Sequence, residues 1–194
     1  KQGVDLLIFP ELSLTGYEPE LAATQALAVD DTRLSAFSEL AQRHRMHLVV
    51  GAPLANGDEK PFLSAILFGP DGTRQTYAKM HLGDVLLAIC ADSSAPSHPK
   101  TYASLCATVY AAGVFLNAEW HASDAPRLVG YASRHRLLVV MANHAASVGT
   151  YTSVGRSAVW APDGELLAQA AGDEDALVIA TKERGSWRGE VCGL

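Results

Sequence analysis

The chain has 194 residues, is 48% hydrophobic and carries a formal net charge of −6. That is enough apolar material for one domain with a sizeable core, which excludes a disordered chain. The acidic balance and the lack of any Lys/Arg cluster exclude nucleic acid as a partner, and no apolar run reaches the roughly 18 residues of a membrane span.

In chain order, Val4–Phe9 is predicted as a short buried strand, a continuous apolar run stopped by Pro10. Arg33–Arg45 is predicted as an amphipathic helix capped by Asp31 or Thr32, with Leu34, Phe37, Leu40 and Ala41 at helical spacing. The run Met46–Leu54 is the next strand. Residues 62–79 are predicted as a hairpin turning at Pro70-Asp71-Gly72. Val85–Cys90 is another buried strand. Thr101–Ala112, rich in small residues, is predicted as a helix stopped by Gly113, followed by a strand over Val114–Ala118. Asp124–Arg136 is predicted as a helix with Pro126 in its first turn. Leu137–Asn143 is a strand, residues 157–170 repeat the hairpin pattern around Pro162-Asp163-Gly164, and Ala176–Ala180 is a last strand. Buried strands alternating with helices, with two hairpins interposed, predict an α/β layered domain with mixed sheets. No solenoid-length repeat, low-complexity tract or interdomain linker interrupts residues 1–194, so a single domain is expected.

Three polar side chains fall at strand ends: Glu11, Lys79 and Cys90. Sites in layered α/β folds gather beyond the carboxyl ends of strands. A thiol needs a base or a nearby cation to become a nucleophilic thiolate. Glu11 can take its proton, and Lys79 can stabilise the thiolate and then an oxyanion. Cys90 with His98 or His144 would make a different thiol hydrolase, and His81, Cys90, Asp92 and His98 lack any standard metal-ligand spacing. No metal is therefore expected. The three cysteines, Cys90, Cys106 and Cys192, are odd in number and irregular in spacing, which argues against a disulfide framework and for a reducing, cytoplasmic setting.

The segments "FPELSLTGY" around Glu11, "YAKMHL" around Lys79 and "AICAD" around Cys90 resemble the carbon–nitrogen hydrolase (nitrilase) superfamily, in that family's Glu–Lys–Cys order. "VVMAN" ending at Asn143 and "GRSAVWAPDGELLA" are similar to its later segments, so the resemblance covers nearly the whole chain. It implies a four-layer αββα sandwich of two mixed β-sheets flanked by helices. It also implies cofactor-free hydrolysis of a small amide, ureido acid or nitrile, and a homodimer or larger assembly. By the same resemblance Glu11 is the general base, Lys79 the electrostatic stabiliser, Cys90 the nucleophile and the Ala91 backbone amide an oxyanion donor. Tyr17, Glu119, Trp120 and Asn143 are candidate substrate contacts; polar-loop or turn-holding roles are the alternative for Glu119, Trp120 and Asn143. Asp92 fits the same motif, with bonding of the turn as its alternative role.

Two features depart from the family. Only ten residues separate Lys79 from Cys90, and no second glutamate follows the lysine within Met80–Ile89. A missing segment near Leu82-Gly83 is expected, as is a missing natural start, because the chain opens without Met or a signal-like pattern. A non-catalytic relative serving as a binding or assembly module is the alternative function.

Overall fold

Pro10 has no backbone N–H, so strand pairing begun by the apolar run before it cannot continue through it. The computed structural model, which describes residues 3–76, 81–82, 85–103, 107–172 and 174–194, has strand β1 at Leu6–Ile8, and Phe9 N still donates to Val49 O at 2.9 Å. The chain divides into two compact units, Lys1–Ala78 and Lys79–Leu194.

The first unit is a four-stranded mixed sheet in the order β1-β2-β3-β4. Strand β2 (His47–Asn56) runs parallel to β1, and β3 (Glu59–Phe68) and β4 (Arg74–Thr76) follow antiparallel. A short helix α1 (Ala22–Gln25) precedes α2 (Ser35–His44). The predicted helix is present, but its first residues form a 3₁₀ turn at Thr32–Leu34, whose Arg33 N donates to Asp31 Oδ1 at 2.8 Å. The Arg33 guanidinium also holds the Asp31 carboxyl down to about 2. Leu34 and Ala41 bury against Leu48, Val50, Ile66 and Phe68, and Phe37 stacks on Phe68 at 5.5 Å, whereas Leu40 stays exposed. The hairpin at Pro70-Asp71-Gly72 forms as expected: Gly69 N bonds Thr73 O, and Asp71 Oδ1 accepts from Thr73 N. Its second arm beyond Thr76, with Lys79, lies outside the described residues.

The second unit holds a six-stranded sheet in the order β10-β9-β8-β7-β6-β5. Strands β6 (Val85–Ile89), β7 (Val109–Val114) and β8 (Leu138–Asn143) are parallel, with β5 (His81–Leu82), β9 (Ala158–Trp160) and β10 (Leu166–Gln169) antiparallel to their neighbours. The Pro162-Asp163-Gly164 hairpin is present, with Ala161 N bonded to Glu165 O at 2.8 Å. Between β6 and β7 lie α3 (Ala91–Ser94) and α4 (Ser97–Ala103); α5 (Ala118–His135) joins β7 to β8. Leu128, Tyr131 and Ala132 of α5 pack with Tyr110, Val139, Met141 and Trp160 in one core, where full burial of a side chain such as Leu128 contributes about 1.5–3 kcal/mol. A final hairpin of β11 (Ala176–Glu183) and β12 (Ser186–Gly193) crosses β10 so closely that a Cβ on Gly189 would lie 2.6 Å from the Leu167 carbonyl carbon.

Three expectations need correction. Thr101–Ala112 is not one helix: α4 ends at Ala103 and Val109–Ala112 already belong to β7. Alanine favours helices in isolation, but Tyr110, Ala111 and Ala112 are buried at the centre of a parallel sheet, and that burial overrides propensity. The strand expected over Val114–Ala118 keeps only Val114, the last residue of β7. Helix α5 starts at Ala118 rather than Asp124 because Asn117 caps it, its Oδ1 accepting from Trp120 N at 2.8 Å. Pro126 is thus inside the helix, not in its first turn. The break expected near Leu82-Gly83 concerns residues outside those described, which leave out Gly83 and Asp84.

Candidate active site

Glu11 opens the turn that follows β1. Its residue is only 5% exposed, and the next, Leu12, is 1% exposed at φ 50°. Ser13 N donates to Pro10 O at 3.3 Å and Leu14 N to Gly51 O at 3.0 Å, so the turn is fastened both to itself and to β2. Gly51 N donates in return to Ser13 Oγ at 3.2 Å. Tyr17 follows in the same segment and is half-buried.

Cys90 sits where β6 gives way to α3, at φ 38° and ψ −100°. Such a backbone costs about 1–3 kcal/mol for a side-chain-bearing residue and persists only where its surroundings hold it. Several bonds do so. Cys90 N donates to Gly113 O at 3.0 Å, and the Cys90 carbonyl accepts from Ser93 N at 2.9 Å and Ser93 Oγ at 2.6 Å. Asp92 Oδ2 accepts from Ile89 N at 3.1 Å, the turn-bonding role weighed for it above. Helix α5 braces the same turn from outside. Tyr131 Oη donates to Ser93 O at 3.0 Å, and Ser94 Oγ donates to Asp124 Oδ2 at 3.1 Å. Asp124 is itself paired with Arg127 at 2.6 Å. The residue is half-buried. Ala91, the candidate oxyanion donor, is the first residue of α3.

Because β6, β7 and β8 are parallel, Cys90, the Leu116-Asn117 segment and Asn143 share one carboxyl edge of the sheet. Asn143 is 4% exposed, and three of its four amide bonding directions meet backbone. Its Oδ1 accepts from Leu116 N at 2.8 Å, and its Nδ2 donates to Leu116 O at 3.1 Å and Gly155 O at 2.7 Å. Gly155 is held at φ 65° against Gly172, whose carbonyl oxygen would be 1.7 Å from any Cβ there. Asn143 thus ties the end of β7 to the segment leading into β9. Glu119 and Trp120 lie in the first turn of α5, not in a loop; both are exposed, Trp120 by 45%.

His121 is 9% exposed, and its Nε2 has no hydrogen-bond partner among the described residues. Burial first, and the Arg156 charge second, hold its pKa below the ordinary histidine range, so the ring is neutral at pH 7. Among the described residues no three His, Cys, Asp or Glu side chains gather as a metal ion would require, and no helix is long and apolar enough to cross a membrane.

The bracing residues Gly51, Ser13, Ser93, Ser94 and Tyr131 were not singled out in the sequence. Four of them act through backbone groups and Ser94 through the distant Asp124 carboxylate, contacts that carry no spacing signal. Asp124 and Arg127 alone had one, the i, i+3 opposite-charge pair.

The sequence model of the family described as carbon-nitrogen hydrolase matches residues 1–189. No curated protein sequence matches the chain. Among solved structures, Nit3 of Saccharomyces cerevisiae, a member of branch 10 of the nitrilase superfamily, superposes with a TM-score of 0.79 at 18% identity, covering 88% of this chain and 74% of that one. An amidase from Nesterenkonia sp. AN1 carrying acrylamide added at its active-site cysteine gives 0.75 at 21% identity, covering 87% and 76%. A cysteine-to-serine variant of that nitrilase-superfamily amidase gives 0.75 at 24%, covering 87% and 75%. At these identities the likeness establishes the fold, and the αββα class expected from the sequence is the fold they share.

Proposed function

The chain belongs to the carbon-nitrogen hydrolase family, hydrolases of carbon–nitrogen bonds other than peptide bonds, and on that premise we propose that it hydrolyses small aliphatic amides through a Cys90 thioester. Glu11 takes the thiol proton and the Cys90 thiolate attacks the amide carbon. Lys79 and the Ala91 amide stabilise the tetrahedral oxyanion. The C–N bond breaks as Glu11 returns the proton to the departing nitrogen, which leaves as ammonia. Glu11 then activates a water, which attacks the thioester carbonyl and frees the carboxylate and the thiol. This chemistry needs Glu11, Lys79 and Cys90 within hydrogen-bond reach, roughly 3 Å in the working complex.

The observation that carries the reading is the backbone at Cys90. A strained, half-buried cysteine at the carboxyl end of a central parallel strand, braced by Ser93, Asp92 and Tyr131, is what a preorganised nucleophile requires. The choice of amides among amides, ureido acids and nitriles is supported by the Nesterenkonia amidase, a variant of which is known with butyramide bound and another with the acetamide moiety of fluoroacetamide on its active-site cysteine. Tyr17, Glu119 and Trp120 are proposed as substrate contacts. A homodimer in the cytoplasm completes the proposal. Ala125, half-buried on α5, is a candidate for a close-packed interface, whereas Ala111, Ala112 and Ala132 are fully buried in the core.

The test is ammonia release from a panel of two- to four-carbon amides, ureido acids and nitriles. Butyramide and its shorter relatives are expected to be the best substrates. Preferential turnover of nitriles or ureido acids would overturn the substrate class, and no ammonia from any compound would overturn the catalytic reading.

A further inference from the structure

We propose that Gly51 is the positioning residue for Glu11, setting where its carboxylate stands by letting the turn rest directly on bare β2 backbone. The inference rests on the reading of Glu11 as the general base.

Gly51 lies in the middle of β2, paired with Ala65 of β3. Both of its backbone groups serve the Glu11 turn: its N–H goes to Ser13 Oγ at 3.2 Å and its carbonyl receives Leu14 N at 3.0 Å. The space a side chain would fill is occupied by the turn itself. A Cβ at position 51 would lie 2.4 Å from Leu12 N, 2.5 Å from Pro10 O and 2.9 Å from Glu11 C. Those atoms belong to the two peptide groups flanking the Glu11 Cα. They are backbone, so none can swing aside as a side-chain tip would. Ordinary contact begins at 3.4 Å, and 3.4 minus 2.4 leaves 1.0 Å to be made up by moving the Glu11 peptides. A misplacement of about 1 Å costs a catalytic group about a hundredfold. The turn has little other slack: Leu12 is buried at φ 50°, and Pro10 cannot extend the β1 pairing.

Alkylation of Cys90 by iodoacetamide tests this without needing the natural substrate. The rate is read on the Cys90 peptide by mass spectrometry, with Cys192 on β12 as the internal control. Glu11→Gln is expected to slow Cys90 labelling by about a hundredfold. Gly51→Ala is expected to slow it at least about tenfold. In the Glu11→Gln background, Gly51→Ala should add nothing, because the group it displaces is already gone. Labelling of Cys192 should not change in any variant. Should Gly51→Ala fail to fold, Ser13→Ala removes only the hydroxyl bonded to Gly51 N, and should slow labelling several-fold with the same non-additivity. Wild-type labelling in Gly51→Ala, or in Ser13→Ala where the alanine at 51 does not fold, overturns the inference while a slow Glu11→Gln leaves the base assignment standing. Additive losses in the double variant also overturn it, since Gly51 would then act through something other than Glu11. Wild-type labelling in Glu11→Gln overturns the base assignment and the inference with it.

Discussion

Cys90→Ser is expected to lower ammonia release from a small amide at least about a thousandfold while changing stability by no more than about 1 kcal/mol. The side chains are close in shape, the residue is half-buried, and the bonds to Gly113 and Ser93 that hold the turn are made by the backbone of residue 90. What changes is acidity. A thiol near pKa 8.5 is within reach of a carboxylate base, whereas a serine hydroxyl is far weaker as an acid and gains little from the same partner. Activity within tenfold of wild type would mean that residue 90 is not the nucleophile. A collapse of both activity and the urea midpoint would mean that the thiol itself holds the fold.

Asn143→Ala is expected to be strongly destabilising, by about 3–4 kcal/mol. The side chain satisfies Leu116 N, Leu116 O and Gly155 O, all in buried surroundings, and alanine would leave those groups without that partner. Each orphaned buried group costs about 1–3 kcal/mol. Leu116 O still accepts from Val154 N at 3.0 Å and Ser153 Oγ at 3.1 Å, so the main losses are Leu116 N and Gly155 O. Against a total stability of about 5–15 kcal/mol this is a large fraction. The urea midpoint should fall with the m-value unchanged. A loss below about 1 kcal/mol would mean that water or a shifted loop replaces the amide. Because Asn117 caps α5 immediately after Leu116, the same variant should loosen the start of that helix.

The contrast between these residues shows what could be read from the sequence. Strands β6 and β8 and both Pro-Asp-Gly hairpins were legible because burial and turn chemistry leave local marks: apolar runs, and an aspartate whose side chain bonds the residue two positions on. Strand β7 was not. Its Val-Tyr-Ala-Ala-Gly-Val run has the composition of a small-residue helix, and only its place between β6 and β8 makes it a strand. The start of α5 reads as a strand end at Ala118 followed by polar loop, because Glu119–Ser123 lacks apolar periodicity. Its capping residue, Asn117, could have flagged it. Strand β12 was missed for a related reason: it alternates half-exposed and exposed residues with two glycines and offers no buried run. Of the proposed site, Glu11 and Cys90 are marked out by motif order. The glycine beneath Glu11 and the tyrosine behind Ser93 are not, since their hydrogen-bond partners lie 37 or 38 positions away.

The measurement that bears most directly on a Cys90 acyl-enzyme is an acid quench of the wild-type protein turning over butyramide, with hydroxylamine present in a parallel reaction. The account predicts a butyryl group on the peptide bearing Cys90 and the release of butyrohydroxamate together with ammonia, as an acyl thioester partitions between water and the added nucleophile. Ammonia released at full rate with no acyl group on Cys90 and no hydroxamate would contradict it.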